Sequence, residues 1–361
     1  MTSVPAAPAR PVLARVGALG VGVDIRARDA GDAEALSPAR SAWRDSAVPA
    51  GTDHPLRWVE VTLPANNDAA AALSDLSTQV TLAALDALRG TRLLLHAAGV
   101  ATPDGRVLAL VGPSGRGKTT AARHLGRRFG YVSDESVAVD EALTVWPYRK
   151  PLSVIVEGRP FKQQIAPSDL GLLPLPDAPL HLSGITLLDR DPATTSPGAQ
   201  PVDLIDAICE MTPQISYLPE LPNPLQYVAR IVDRVGAVTR LLYRDATDLP
   251  DLITEMFAAP APAAQSWSAA PPASPAGPWE VSPVDDAILV DGRACILQDG
   301  TVTALDERGC LVWVKYREGA TVTEITDAAV AAFGTPAHAS ARALIEQTID
   351  ELRAHGLLST R

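Results

Sequence analysis

Residues 107–120 read VLALVGPSGRGKTT, a short apolar run followed by a glycine-rich loop. The apolar run predicts a buried strand. The loop matches the pattern Gly-x4-Gly-Lys-Thr, whose glycines let successive main-chain N–H groups point at one anion. In this pattern Lys118 is expected to reach the β- and γ-phosphates of a nucleoside triphosphate, and Thr119 to offer its hydroxyl to Mg2+. The residues assigned to the phosphate-binding loop are Gly112, Pro113, Ser114, Gly115, Arg116, Gly117, Lys118, Thr119 and Thr120.

The segment after the loop supports the same interpretation. Residues 118–129 are compatible with a helix, and the N-terminus of a helix presents the positive end of its dipole to a phosphate. A strand, a glycine-rich loop and a helix in this order predict a site for ATP and Mg2+. A glycine-rich turn without a ligand is the weaker interpretation.

Composition limits the classes of partner. The chain has 361 residues, a formal charge of −11 and a pI near 5.0. This acidity argues against nucleic acid or an anionic membrane as partner. No apolar run is long enough to span a bilayer, and residues 1–12 lack the pattern of a signal peptide. Three separated cysteines, Cys209, Cys295 and Cys310, predict buried reduced thiols in a cytoplasmic protein. The sequence leaves a homo-oligomer open.

The chain is predicted to contain two domains. Residues 1–257 form the first, with a disordered start over 1–12, a helix over 69–88 and a strand over 92–100. Residues 258–280 are rich in Ala, Pro and Ser and predict a solvated linker. Residues 281–361 contain three short strands joined by Asp-Gly turns, followed by three helices. This order predicts a small winged-helix-like α+β domain.

A pair of acidic residues, Asp134 and Glu135, follows the next predicted strand, 16 residues after Lys118. One helix returns the chain to the adjacent strand, so both carboxylates are expected at the same edge of the sheet as the phosphates. One could hold Mg2+ while the other accepts the proton of an attacking hydroxyl. A solvated acidic turn is the alternative. Transporter-type ATPases share the glycine-rich loop, but their Leu-Ser-Gly-Gly signature is absent from this sequence.

Three segments together carry a resemblance to a known family: LHAAGV at 95–100, GPSGRGKT at 112–119 and SDESV at 133–137. They resemble the HPr serine kinase family, which shares its fold with the ATP-dependent phosphoenolpyruvate carboxykinases. The resemblance is specific over residues 92–140 and implies an α/β P-loop domain of HPr kinase type. It implies Thr119 and Asp134 as metal ligands, Glu135 as general base, and His96 close to Glu135.

The sequence departs from that family in two places. Glu135 stands where the family has Asp and is longer by one methylene. The family's later signature stretch, which supplies a further acidic metal ligand, is not found, and Glu157 is only a weak candidate for that role. Phosphorolysis of a phosphoprotein is therefore not carried over.

Three further residues have two interpretations each. His96 is compatible with the catalytic site and equally with a core histidine. Arg149 and Lys150 could neutralise phosphate or substrate charge. An exposed loop is the favoured interpretation for both of these cations.

Residues 281–361 resemble the small PqqD-like domains that recognise leader peptides of ribosomally made, modified peptides. The resemblance lies in the order of elements and in the segments LDERGCLVW at 305–313, TVTEI at 321–325 and HGLL at 355–358. Winged-helix domains that bind DNA share this shape. However, this region has twelve acidic and seven basic residues, a formal charge of −5, which disfavours phosphate contacts.

The sequence therefore predicts a Mg-ATP-dependent kinase-like protein that phosphorylates a Ser or similar hydroxyl. Its substrate is expected to be a peptide or protein, with a leader peptide recognised through residues 281–361. The alternative is a non-catalytic scaffold or binding protein in which ATP orders the loops and no phosphoryl group is transferred.

Overall fold

The structure is a computed structural model, and it describes residues 10–48, 56–63, 68–113, 117–158, 162–274 and 282–359. The protein is a mixed α/β protein with several sheets, and it divides into two compact units. The first unit comprises Met1–Gln200, Gln214–Ser216 and Thr239–Pro260. The second comprises Pro201–Pro213, Tyr217–Val238 and Ala261–Arg361. The domain division predicted from the sequence stays a prediction, and the second unit also includes residues 201–213 and 217–238.

Both strands and α-helices are present along the described residues. In chain order the strands are β1 Val12–Ala18, β2 Val21–Ala27, β3 Leu56–Val61, β4 Leu93–Leu95, β5 Ala97–Ala101, β6 Arg106–Val111, β7 Gly130–Ser133, β8 Val137–Val139, β9 Val145–Trp146, β10 Leu152–Val154, β11 Gln163–Ile165, β12 His181–Arg190, β13 Gly198–Pro201, β14 Ile215–Ser216, β15 Thr239–Tyr243, β16 Ser268–Ala269, β17 Asp286–Val290, β18 Arg293–Gln298 and β19 Thr301–Leu305. The α-helices are α1 Ala30–Ala35, α2 Pro38–Ala42, α3 Ala69–Ala87, α4 Lys118–Leu125, α5 Leu204–Met211, α6 Pro224–Val235, α7 Leu249–Ala258, α8 Glu307–Arg317, α9 Val322–Phe333 and α10 Ala341–Ala354.

A six-stranded sheet with the order β13-β15-β12-β6-β5-β7 forms the centre of the first unit. Strand β6 runs parallel to β12 and antiparallel to β5, which in turn is antiparallel to β7. The strands that end at Val111 and Ser133 therefore point the same way. The predicted adjacency of these two strands is wrong, because β5 lies between them, but they do end at the same edge.

The apolar core beside this sheet explains why the helices lie where they do. Helix α4 buries Ala121, Ala122 and Leu125, and the same cluster contains Leu249 and Ile253 of α7. Removing such side chains from water is the main favourable term in folding. The predicted helix over 69–88 is confirmed as α3, and the helix after the glycine-rich loop ends at Leu125, earlier than predicted.

The chain crosses between two sheets at two neighbouring points. The predicted strand over 92–100 is in fact two strands, because β4 belongs to the sheet β14-β4-β8-β9 while β5 belongs to the central sheet. The break falls at His96, whose main-chain N–H donates to the carbonyl of Gln214 at 2.7 Å. Strands β7 and β8 make the same crossing at residues 134–136. Leu95 pairs with Val137 and Gly99 with Ser133, so the two crossings lie side by side.

The second unit contains a sheet with the order β16-β17-β18-β19. Its predicted Asp-Gly hairpin turns are confirmed, with Asp291 and Gly292 at φ 47° and 82° and Asp299 and Gly300 at φ 49° and 76°. This left-handed backbone is the conformation that a two-residue hairpin of type I′ requires. The capping box predicted at Thr321 is also present at the start of α9.

Helices lie on the sheet of the second unit, and two of them, α5 and α6, precede strand β17 in the chain by more than fifty residues. Asp286 of β17 accepts hydrogen bonds from the main-chain N–H groups of Leu225 and Gln226 at 2.8 and 3.0 Å, and thereby caps α6. Arg293 of β18 pairs with Asp206 of α5 at 2.7 Å. These contacts explain why α5 and α6 group with the C-terminal region.

The predicted linker over 258–280 needs correction where the structure describes it. Helix α7 extends to Ala258, and Ser268–Ala269 pair with β17 as strand β16. Trp267 Nε1 donates to Asp233 Oδ2 at 2.8 Å, and the carbonyl of Pro262 accepts from Ala237. Residues 261–274 are therefore bound to the second unit, because strand pairing and side-chain contacts offset their weak apolar character.

The remaining predictions for the chain ends and cysteines have mixed outcomes. Val12 begins β1, and the carbonyl of Pro11 accepts from Ala27, so the predicted disordered start is too long; residues 1–9 lie outside the described residues. Cys295 and Cys310 are buried and Cys209 is half-buried, all as free thiols. Among the residues that the structure describes, no helix combines the length and apolar character needed to cross a bilayer.

Candidate active site

A cavity of about 600 Å³ in the first unit brings together seven of the site residues predicted from the sequence, but not Gly112 or Pro113. It lies at the edge where β6 and β7 end and β5 begins. Its described lining residues are His96, Gly117, Lys118, Thr119, Thr120, Arg123, Asp134, Glu135, Lys150, Ser153, Val154, Ile155 and Lys162. The three segments that carry the resemblance thus meet at one space, together with a fourth segment, residues 150–162, that the resemblance did not include.

The end of the glycine-rich loop has the left-handed backbone that the sequence pattern predicts for its glycines. Gly117 has φ 89°, and a Cβ built there would have no atom within 4 Å, so the position is open and left-handed. A side chain at this φ would be strained. Helix α4 begins at Lys118, and its N-cap residue Gly117 has no side chain that could accept from the N–H groups of the first turn. Ser114, Gly115 and Arg116 lie outside the described residues.

Lys118 is held in a folded-back position over the loop. Its Nζ donates to the carbonyl oxygens of Gly112 at 2.6 Å and Pro113 at 3.1 Å. Burial lowers the pKa of Lys118, while the carboxylates of Glu135 and Asp134 oppose that shift. The ammonium therefore has weak neutral acceptors, and a phosphate oxygen would be a stronger partner for it.

A serine shapes the acidic turn between β7 and β8. The hydroxyl of Ser133, which is fully buried, accepts from the N–H groups of Glu135 at 3.2 Å and Ser136 at 3.1 Å. Tyr131 donates its hydroxyl to Asp134 Oδ1 at 3.0 Å. Burial and the nearby Asp134 raise the pKa of Tyr131, which keeps this phenol a donor. The solvated acidic turn is therefore wrong for Asp134, whose side chain is 3% exposed, while Glu135 is 31% exposed.

Lys150 joins the two carboxylates, a contact that the sequence did not predict. Its Nζ lies 3.0 Å from Glu135 Oε2 and 3.5 Å from Asp134 Oδ1, and its side chain is 5% exposed. Burial disfavours the charged ammonium, but Asp134 and Glu135 outweigh it and raise the pKa of Lys150. The favoured assignment of Lys150 to an exposed loop is therefore wrong.

Arg149 is also buried, but it has a different role. Its Nη1 donates to the carbonyls of Tyr131 at 2.7 Å and Leu173 at 2.9 Å, so it fixes two main-chain segments and does not face the cavity. The local sequence of prolines and cations gives no signal for the burial of either Arg149 or Lys150. Both depend on β7, which is distant in sequence.

His96 lies beside Glu135 at the crossing between the two sheets. Burial lowers its pKa, Lys118 acts in the same direction, and the carboxylates and the main chain of Glu135 oppose the shift. The imidazole is therefore mainly neutral at pH 7 and can accept or donate a proton. His96 lines the cavity, and its catalytic role stays a prediction.

The cavity suits a nucleoside triphosphate with a divalent cation. Four cationic side chains face two carboxylates among its described residues, an excess of two positive charges that complements the net charge of Mg-ATP. Thr119 and Asp134 both line it and carry oxygen donors of the kind that Mg2+ prefers, with water and phosphate completing the shell. The described residues contain no preformed group of three or more acidic, His or Cys ligands, and Glu157 is exposed outside this cavity.

The chain is similar to known proteins in structure and not in sequence. No protein-family model matches the chain, and no curated protein matches it. Among solved structures, the chain is similar to the structure of the HPr(Ser) kinase/phosphatase from Coxiella burnetii, with 12% identity and a TM-score of 0.27 over 46% of this chain and 93% of that chain. At this identity and TM-score the likeness carries no weight for function, which has to be inferred from the residues of the cavity.

Proposed function

We propose that this protein binds Mg-ATP in the cavity and transfers the γ-phosphoryl group to a hydroxyl on a peptide or protein. The observation that carries the proposal is the convergence of Lys118, Thr119, Asp134 and Glu135 on one cavity. A glycine-rich turn without a ligand would not require a buried carboxylate, Asp134, in the same cavity as its lysine. Phosphoryl transfer depends on positioning and charge neutralisation, and these residue types supply both.

Each residue has a role in this proposal. Lys118 exchanges the carbonyls of the loop for phosphate oxygens, and Thr119 and Asp134 hold Mg2+. Magnesium, when bound, neutralises charge on the phosphates. Glu135 accepts the proton of the attacking hydroxyl as the new P–O bond forms and the bond to ADP breaks. The larger exposure of Glu135, 31% against 3% for Asp134, favours it as the carboxylate that an incoming substrate meets.

ATP hydrolysis tests the transfer step without a known substrate, because water can take the place of the hydroxyl. A general base contributes about 10²–10⁴ in rate, so Glu135→Gln should lower Mg-dependent phosphate release about a hundredfold at unchanged ATP affinity. Glu157→Gln is the matched control, because Glu157 is an exposed glutamate outside the cavity. Equal rates for Glu135→Gln and wild type would reject the general base.

The competing proposal, a non-catalytic ATP-dependent scaffold, makes a different prediction in the same assay. It predicts tight ATP binding with no phosphate release above background in the wild-type protein. The observation that favours this alternative is the ion pair between Lys150 Nζ and Glu135 Oε2, 3.0 Å apart, because it occupies the proposed general base. Measuring binding and hydrolysis on one preparation separates the two proposals.

The acceptor is proposed to be a peptide bound through residues 281–361. Strand β16 covers one edge of the sheet of the second unit, while β19 has no second partner strand among the described residues. An extended peptide can add to such an edge through main-chain hydrogen bonds. Fluorescence anisotropy of the full chain with labelled precursor peptides encoded beside its gene tests this. Failure of every such peptide to bind would reject the proposed acceptor, but it would not bear on the proposed binding of ATP.

A further inference from the structure

Lys150 occupies a position that the proposed metal also needs. Its ammonium lies 3.5 Å from Oδ1 of Asp134, the carboxylate assigned to Mg2+, and 3.0 Å from Oε2 of Glu135. The same Asp134 oxygen accepts from the hydroxyl of Tyr131 at 3.0 Å. One oxygen of each carboxylate, Oδ1 of Asp134 and Oε2 of Glu135, is therefore engaged by side chains of this protein before any metal arrives.

Electrostatic repulsion opposes the binding of a divalent cation to Asp134 while the ammonium of Lys150 stays beside it. Both are positive, and the side chains of Lys150 and Asp134 are only 5% and 3% exposed, so water screens their repulsion weakly. Mg2+ also demands ligand distances of about 2.0–2.1 Å in near-octahedral geometry, which leaves no room for an ammonium on the same oxygen.

We propose that Lys150 is the resident cation of the Asp134–Glu135 pair and that a divalent metal must displace its ammonium from Asp134. The proposal rests on the proposed function in that it takes Asp134 as a metal ligand. The displaced ammonium remains in the cavity, which it lines together with Lys118 and Thr119, and there it becomes available to phosphate oxygens. Metal binding is consequently weak without nucleotide and strong with it, because ATP supplies new partners for Lys150.

The first test measures binding of Mn2+ alone to the full chain, by electron paramagnetic resonance of the free ion. Lys150→Met keeps the length of the side chain and removes the charge, so it should tighten Mn2+ binding about tenfold, a size usual for two coupled binding events. Lys150→Arg keeps the charge on the carboxylate pair and should not tighten Mn2+ binding.

Lys162→Met is the matched control, because Lys162 is an exposed lysine that lines the same cavity. A similar tightening in both Met variants would show only a general loss of positive charge and would overturn the proposal. Unchanged or weaker Mn2+ binding in Lys150→Met would overturn it as well.

A second measurement uses the wild-type protein, since Lys150→Met leaves the buried carboxylate of Asp134 without its cation and can fail to fold. Acetylation by an amine-reactive ester, read by mass spectrometry at Lys150 with Lys162 as internal reference, should rise severalfold when Mg2+ is added without nucleotide. No rise, or a fall, would contradict displacement. Neither measurement involves ATP or phosphoryl transfer. The proposed kinase activity can therefore be rejected while this inference is supported, and this inference can be rejected while the kinase activity is supported.

Discussion

The capping of α6 by Asp286 allows a prediction of defined size. One carboxylate of β17 accepts from Leu225 N at 2.8 Å, from Gln226 N at 3.0 Å and from Gln226 Nε2 at 2.7 Å. The residue before the helix, Asn223, makes no side-chain cap. The buried carboxylate of Asp286 therefore caps α6, although Asp286 lies 60 residues after Gln226 in the sequence.

Asp286→Ala should destabilise α6 by about 3 kcal/mol. Loss of a helix cap costs about 0.5–2 kcal/mol, and a buried N–H left without a partner costs about 1–3 kcal/mol. Leu225 is buried, so water cannot readily replace the lost acceptor. A change of about 3 kcal/mol corresponds to roughly a hundredfold in the equilibrium for local opening.

Hydrogen exchange of the full chain, followed by mass spectrometry over residues 224–235, measures this opening. We expect exchange in α6 to accelerate about a hundredfold in Asp286→Ala, because exchange follows the local opening equilibrium. Asp285→Ala is the matched control, since Asp285 is the exposed neighbour with the same charge. Equal protection of α6 in both variants would refute the assignment of α6 to the C-terminal sheet.

Three further predictions concern local interactions. Ser133→Ala removes the acceptor of two N–H groups in the acidic turn and should lower stability by about 1–3 kcal/mol in thermal unfolding, and an unchanged midpoint would contradict this. Thr321→Ala breaks the capping box of α9 and should cost about 1 kcal/mol in the same assay; no loss would argue against the box. A hydrogen bond from Cys295 lowers the pKa of Cys209, whereas burial raises the pKa of Cys310 to about 11. Alkylation at pH 8 should therefore label Cys209 before Cys310, and labelling of Cys310 should accelerate as the pH rises. Labelling of Cys310 before Cys209 would contradict this prediction.

The sequence was sufficient to predict features that depend on residues close together in the chain. The hairpin at Asp291-Gly292 requires two left-handed residues, which that dipeptide readily supplies, and the turn formed as predicted. The capping box at Thr321 depends on residues only three apart, and it is present too. The placement of Lys118, Asp134 and Glu135 at one edge followed from a strand, loop and helix in succession.

Contacts between distant segments were not predictable in this way. His96 lies at a break between two strands because its N–H bonds to Gln214, 118 residues away. Lys150 is buried because the segment that carries it packs against β7, and no pattern in its neighbours signals that contact. The cap on α6 comes from β17 for the same reason. In each case the residue that makes the contact lies in another segment of the chain. Patterns among neighbouring residues in the sequence therefore do not indicate the contact.

The central claim, that the cavity binds Mg-ATP through Lys118, is tested most directly by calorimetry with a non-hydrolysable ATP analogue and Mg2+. Lys118→Met should weaken binding by about tenfold to a hundredfold, since hydrogen bonds to charged groups contribute about 1.5–3 kcal/mol. Lys162→Met, which removes an exposed charge from the same cavity, should change affinity by less than about threefold, as expected for a screened surface charge. Equal affinity of wild type and Lys118→Met, or no binding by wild type, would contradict the account.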